Sequence, residues 1–115
     1  MTLRKLQSEF AILSSGIPAK ARELGYEVTN GDAYRDPRVF GNLGESKGYG
    51  HPKSAHKLRL ARDFNLFKDG KYRDDTESHR ALGEWWKQQH PLARWGGDFR
   101  RPDGNHYSFE YEGVM

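Results

Sequence analysis

Leu3, Leu6, Phe10, Leu13, Ile17 and Leu24 recur at helical steps through an otherwise polar, charged segment, the apolar stripe of an amphipathic helical region over residues 3–24. Gly25 stops it, and the stretch from Ser14 to Pro18 kinks or splits it, because a proline ring clashes with the carbonyl four residues back. Tyr-Glu-Val-Thr at 26–29 reads as a short strand closed by Asn30, Gly31 and Asp32. From Tyr34 to His56 glycine, proline, serine and charge occur without period, which predicts a long loop with room for one short helix. Leu60, Arg62, Phe64 and Leu66 then alternate with Ala61, Asp63, Asn65 and Phe67, and Asp69-Gly70 follows as a turn, so a strand hairpin is expected. Residues 75–90 predict a second main helix, capped by Asp75 or Thr76 and ended by Pro91. Its adjacent Trp85 and Trp86 cannot both face a core, so one is expected buried and the other half-exposed. A final strand begins near His106, with Tyr107, Phe109 and Tyr111 alternating against Ser108 and Glu110.

Helix, strand, long loop, hairpin, helix, loop and strand assemble most simply as an α+β fold, a small antiparallel sheet with helices packed on it. At 115 residues this is one domain, residues 1–115, able to bury roughly two thirds of its unfolded surface. The hydrophobic fraction is only 35%, but 13% aromatic residues and regularly spaced aliphatics supply a small core.

Composition narrows the chemistry. There is no cysteine, so the fold has no disulfide and any metal must be held by His, Asp or Glu. Arg4, Lys5, Glu9, Lys20, Arg22 and Glu23 interrupt the apolar positions of the first 25 residues, excluding a signal-peptide core or a membrane span there. The expectation is a protein that is made in, and stays in, the cytoplasm until something releases it. A net charge of +3 is a mild bias toward anionic partners, but no basic run or DNA-binding spacing accompanies it, and nucleic acid is not expected as a partner.

Against this background His56 and Asp63, seven residues apart, and Asp103 and His106, three apart, form a constellation. A zinc hydrolase needs three protein ligands, an open position for water and a nearby carboxylate to take and return a proton. With His106 opening the last strand, Asp63 on the hairpin strand and His56 in the loop before it, these three can converge on one face. Asp103 then lies close enough to accept the proton of the attacking water, and amide hydrolysis is the chemistry expected. Trp95, preceding Gly96 and Gly97, is a candidate cleft wall for substrate.

The same residues carry a family resemblance. "SAHKLRLARDF" resembles the Ser-x-His-(x)6-Asp motif of the zinc D-alanyl-D-alanine carboxypeptidase-like metallopeptidases, "WGGDFRRPDGNH" is similar to their second motif, and "GDAYRDP" resembles their upstream Tyr-Arg element. The three stand in the family's order, across about residues 24–112, and the helical N-terminus and "DFNLFKDGKY" look like phage members that are L-alanyl-D-glutamate endopeptidases. The resemblance implies a Hedgehog/DD-peptidase-like fold, Zn2+ held by His56, Asp63 and His106, and Asp103 as catalytic base. It further implies that Arg35 stabilises an oxyanion or anchors a substrate carboxylate, and that Ser54 orients the loop or contacts substrate. Where many members have glycine this chain has Arg59, between two of the ligands.

On this resemblance the expected function is an endolysin that cuts the L-alanyl-D-glutamate bond of the peptidoglycan stem peptide, acting as a monomer without stable membrane association. It would wait in the host cytoplasm and act at the wall after release. The competing readings are a D-alanyl-D-alanine-type carboxypeptidase and a cell-wall peptide-binding module without turnover. His51, His79 and His90 have no place in the motifs and are expected at the surface, and Glu110 as a solvated strand residue. Asp69, Asp74, Asp75 and Glu77 are read as turn and cap rather than as a calcium site.

Overall fold

The computed structural model describes residues 2–48 and 50–115; Met1, and Tyr49 within the expected loop, lie outside the described residues. The N-terminal stripe forms helix α1, Leu3–Ser14, capped by the Thr2 hydroxyl, and helix α2, Ile17–Glu23. The break falls at Ser15-Gly16, with Pro18 in the first turn of α2, where the amide hydrogen it lacks would have had no helical partner. Strand β1, Glu27–Asn30, leads into the loop, whose one α-helical turn is α3, Pro37–Phe40. A 3-10 turn, Ala55–Leu58, precedes β2, Ala61–Lys68, and the Asp69-Gly70 turn, with φ of 53° and 75°, returns the chain as β3, Lys71–Arg73. Helix α4, Thr76–Lys87, is capped by Asp75, whose carboxylate accepts from the Ser78 amide at 2.9 Å. It stops three residues before His90, since the residue ahead of a proline is pushed out of helical geometry.

One element was not expected: Ala93–Trp95 forms a short strand, β4, on the outer edge of β5, His106–Phe109. The sheet is antiparallel, ordered β1-β2-β5-β4, with β3 also paired to β2. With an inner position in that order, β5 is buried on both faces, which is why Ser108 is as inaccessible as Tyr107 and Phe109. The α+β arrangement expected from the pattern is the one observed. Among the described residues no helix is long and apolar enough to cross a membrane.

Strand alternation assigns the two faces different work. Phe64 and Leu66 of β2, Trp95 of β4 and Tyr107 and Phe109 of β5 turn toward the helices and are all at most 1% exposed. There Trp86 of α4 stacks on Phe109 at 5.5 Å, and Phe10 of α1 meets both rings edge-on. Trp85 stays half-buried beside the buried Trp86, the division expected of neighbours on a helix. Asp63 of β2 and His106 of β5 point to the other face, opposite the helices.

Two of the remaining histidines are not surface residues. His79 is 1% exposed, its Nδ1 2.6 Å from the Tyr107 hydroxyl across the α4–β5 contact. His90 is half-buried, stacked on Phe109 at 4.4 Å and donating from Nε2 to Glu9 at 2.8 Å, because its Nδ1 accepts the Leu92 amide. Glu110 is also held rather than free in solvent, paired with Arg94 at 3.0 Å. The core thus needs polar partners for two imidazoles that the apolar pattern does not announce.

Burial depresses the His79 pKa from 6.5 to about 4, so the folded chain carries this imidazole neutral while the unfolded chain protonates it near its ordinary value. Its contribution to stability is complete above about pH 6.5 and is lost as pH falls toward 4, by up to roughly 3 kcal/mol. Urea unfolding of the wild-type chain and of His79→Gln should therefore show the wild type losing more stability between pH 7 and about pH 4.5. Parallel loss in the two chains would remove His79 from that role.

Candidate metal centre

Asp63 is fixed by backbone on both sides. Its N–H donates to the Asp32 carbonyl at 2.7 Å and its carbonyl accepts from the Gly31 amide at 2.8 Å, while across the sheet it stands directly opposite His106. Paired residues in adjacent antiparallel strands share a face, so the Asp63 carboxylate and the His106 imidazole are neighbours by register. His56 reaches them from the 3-10 turn. That turn is capped by Ser54, whose hydroxyl accepts the His56 amide at 3.2 Å, and closed by Arg59, whose amide donates to the Ala55 and His56 carbonyls.

One ligand atom from each of His56, Asp63 and His106 lies within 4.8 Å of the others, and the group is almost wholly buried. His56 Nε2 is 3.1 Å and His106 Nδ1 3.6 Å from the same oxygen, Asp63 Oδ1. A tetrahedral ion with bonds of roughly 2.0–2.1 Å requires ligand separations of about 3.3 Å, which these values bracket.

The outer nitrogens decide what the inner ones do. His56 Nδ1 is 2.6 Å from the Ala33 carbonyl oxygen and His106 Nε2 is 2.7 Å from the main-chain oxygen of Met115. Oxygens of that kind only accept, so both outer nitrogens carry hydrogen, and the inner nitrogens are the ones that face the carboxylate. A bound ion would be met by one nitrogen lone pair from each ring and by that carboxylate. Burial by itself would raise the Asp63 pKa, but hydrogen bonds from His106 and His56 outweigh it and hold the carboxyl at about 2, ionised and able to ligate. The donor set therefore fits a metal ion.

Asp103 sits on the rim. Gly96 accepts its amide at 2.8 Å, and the Asp103 carbonyl accepts the His106 amide at 3.1 Å in a turn that delivers the chain into β5. A Cβ on Gly96 would come within 2.1 Å of the Asp103 carbonyl, so the second glycine-rich motif closes only because residue 96 has no side chain. Asp103 is exposed as a residue, yet its carboxyl is partly desolvated. That burial raises its pKa above the ordinary value; the charge on Asp63 adds to the rise, and His106, His56 and Arg35 oppose it.

Arg35 comes to the same place. It is 9% exposed, its amide donates to the His56 carbonyl at 3.2 Å, and its guanidinium donates to Ser54 Oγ at 3.2 Å and lies 3.6 Å from Asp32. Gly50, at φ 90°, lets the guanidinium pass where a Cβ would stand 2.2 Å from Nη1. Ser54 thus has both a capping and an orienting role, the loop-ordering alternative expected for it. Trp95 does not join the group: it is 1% exposed, its ring pressed against Gly83 and Gly97 and its indole N–H donating to the Gly104 carbonyl at 2.7 Å. It is a core residue bracing the loop behind Asp103, with no face left for substrate.

The supporting carbonyls of Ala33 and Met115 had no signal in the motifs. Met115 is brought over by a tight turn at Glu112-Gly113, both at positive φ, with Tyr111 and Val114 exchanging two 2.9 Å hydrogen bonds. The "YEGV" stretch carries that turn signal in its glycine. Arg59 occupies φ 59°, ψ 30°, left-handed backbone that costs a non-glycine residue roughly 1 kcal/mol. Its guanidinium stacks on the Tyr34 ring at 3.8 Å, worth about 0.5–1 kcal/mol where exposed, so the conformation is approximately offset.

No family model matches this chain and no curated protein matches it, which leaves the side chains themselves as the ground for a functional reading.

Zinc added at about a thousandfold excess over its Kd should stabilise the fold by ~4 kcal/mol, raising Tm on the order of 10–20 °C. In a thermal-shift titration His56→Ala should lose that response and Asp103→Ala should keep it. An unchanged response in His56→Ala would show that the ion binds elsewhere.

Proposed function

We propose that this protein is a zinc-dependent peptidoglycan peptidase of the phage endolysin type, hydrolysing the L-alanyl-D-glutamate bond of the stem peptide and so leading to host cell lysis. The observation that carries this reading is the partly desolvated carboxyl of Asp103, near enough to a converged His56, Asp63 and His106 set to feel the charge of each. A domain that only held wall peptide would use the three ligands for stability and would have no need of that fourth, proton-accepting group.

His56, Asp63 and His106 would hold the zinc ion. When bound, zinc supplies Lewis acidity toward a water and a scissile carbonyl. Asp103 takes the proton of the attacking water and returns it to the departing amine; partial desolvation, which raises its pKa, makes it a better base than a fully solvated aspartate. Arg35, oriented by Ser54 and Asp32, brings to the site the guanidinium that would steady a substrate carboxylate or the oxyanion that develops at the cleaved carbonyl. The outer hydrogen bonds to Ala33 and Met115 keep both imidazoles in one tautomer throughout.

Digestion of purified peptidoglycan followed by mass spectrometry tests the reading directly. New L-alanine carboxyl and D-glutamate amino termini are expected. Released terminal D-alanine would instead identify the D-alanyl-D-alanine carboxypeptidase alternative, and no new terminus with zinc present would exclude both. Chelation should abolish cleavage and zinc should restore it. Asp103→Ala should retain zinc while turnover falls by roughly 10²–10⁴-fold, and wild-type turnover in that variant would show that the base lies elsewhere.

A further inference from the structure

A second concavity, of about 210 Å³, opens between α1 and the Ala33–Tyr34 segment, away from the metal ligands. Its apolar wall is Phe10 and Ala61, both at most 3% exposed, and its rim carries the Tyr34 ring and two guanidinium groups, Arg59 and Arg62.

Among the described residues neither arginine has a carboxylate within 4.0 Å, although six other Lys or Arg side chains do: Lys20, Arg35, Arg38, Arg80, Lys87 and Arg94. Arg62 lies over the Phe64 ring at 4.6 Å and makes only long hydrogen bonds, 3.5 Å to Ser14 Oγ and 3.3 Å to Asn30 Oδ1, which leaves donors of its five unengaged. Burial lowers its pKa, the sign of a cation removed from water without a counter-charge. Arg59 lies over the Tyr34 ring, its guanidinium carbon 3.8 Å from the centroid, and its side chain makes no hydrogen bond among the described residues. The acid whose charge it feels, Asp36, is already gripped by Arg38 at 2.7–3.1 Å.

Two guanidinium forks over an apolar wall are the complement of an oxyanion carried on a short aliphatic body. We propose that this crevice is an anion-binding subsite for a small carboxylate or phosphate of that kind. It is separate from the metal centre but shares its scaffolding: Ala33 lines the crevice and accepts from His56, and Arg59 closes the turn on which His56 stands. The proposal does not depend on the peptidase reading.

Amide chemical shifts of the intact chain, followed during titration with propionate, inorganic phosphate and uncharged n-propanol, test it. At least one of the two anions should give saturable shifts centred on Ala11, Ala33 and Tyr34, the tighter one identifying the class. Arg59→Gly should weaken that binding tenfold or more while remaining folded, because glycine adopts the left-handed backbone without strain. Arg59→Gly combined with Arg62→Gln should abolish it, and Lys71→Gln, at an exposed position on β3, should leave it unchanged. Absence of saturation with both anions, equal shifts from n-propanol, undiminished binding in the double variant, or loss of binding in Lys71→Gln would each overturn the proposal.

Discussion

The pairing of β2 with β5 that sets Asp63 opposite His106 is the constraint on which the rest of this molecule depends. A strand has a period of two, so a slip of one residue would send Asp63 into the core and bring Arg62 or Phe64 onto the site face. What forbids the slip is on the other side of the sheet. Phe64, Leu66, Tyr107 and Phe109 are fully buried against α1 and α4, and moving any of them to solvent would forfeit on the order of 1.5–3 kcal/mol each. The aromatic core therefore positions a polar cluster on the opposite face of the sheet.

The cluster in turn explains features that look unrelated. The three polar side chains that converge there are nearly buried, and each is held by groups outside the cluster. Asp63 is held by backbone hydrogen bonds from the tail of β1, His56 by the Ser54 cap and the Ala33 carbonyl, and His106 by the folded-back tail at Met115. Arg35 links two of these supports, donating to Ser54 and to the His56 carbonyl. The long loop is less a connection than a brace: Lys57 donates to the Phe40, Asn42 and Glu45 carbonyls and ties it to the turn carrying His56.

Much of this was legible in the linear pattern because it rests on local physics. Helical spacing and Pro18 located the split of α1 from α2, Asp75 announced the start of α4, and Asp69-Gly70 announced the hairpin. The candidate trio was legible because residue types with metal-binding lone pairs stood in, or just before, expected strands, within motifs that resemble those of a known family. Other features were not. Ala93–Trp95 is too short and too flanked by turn residues to read as a strand, and becomes one only because β5 offers it an edge. Trp95 next to two glycines suggested an open cleft, whereas Gly83, twelve residues back on α4, is the missing side chain that lets the indole sink into the core.

What the amino-acid sequence determined by itself was which segments are helix or strand, where they break, and which side chains have the chemistry of a metal centre, because caps, turns and periodicity act over a few residues. Tertiary structure alone decided that His79 and His90 are core partners rather than surface residues, that Arg59 stands in left-handed backbone against Tyr34, and that Ala33 and Met115 set the tautomers of the two ligand imidazoles. Those outcomes depend on contacts between groups far apart in the chain, and a main-chain carbonyl is the same at every position until the fold chooses what stands in front of it.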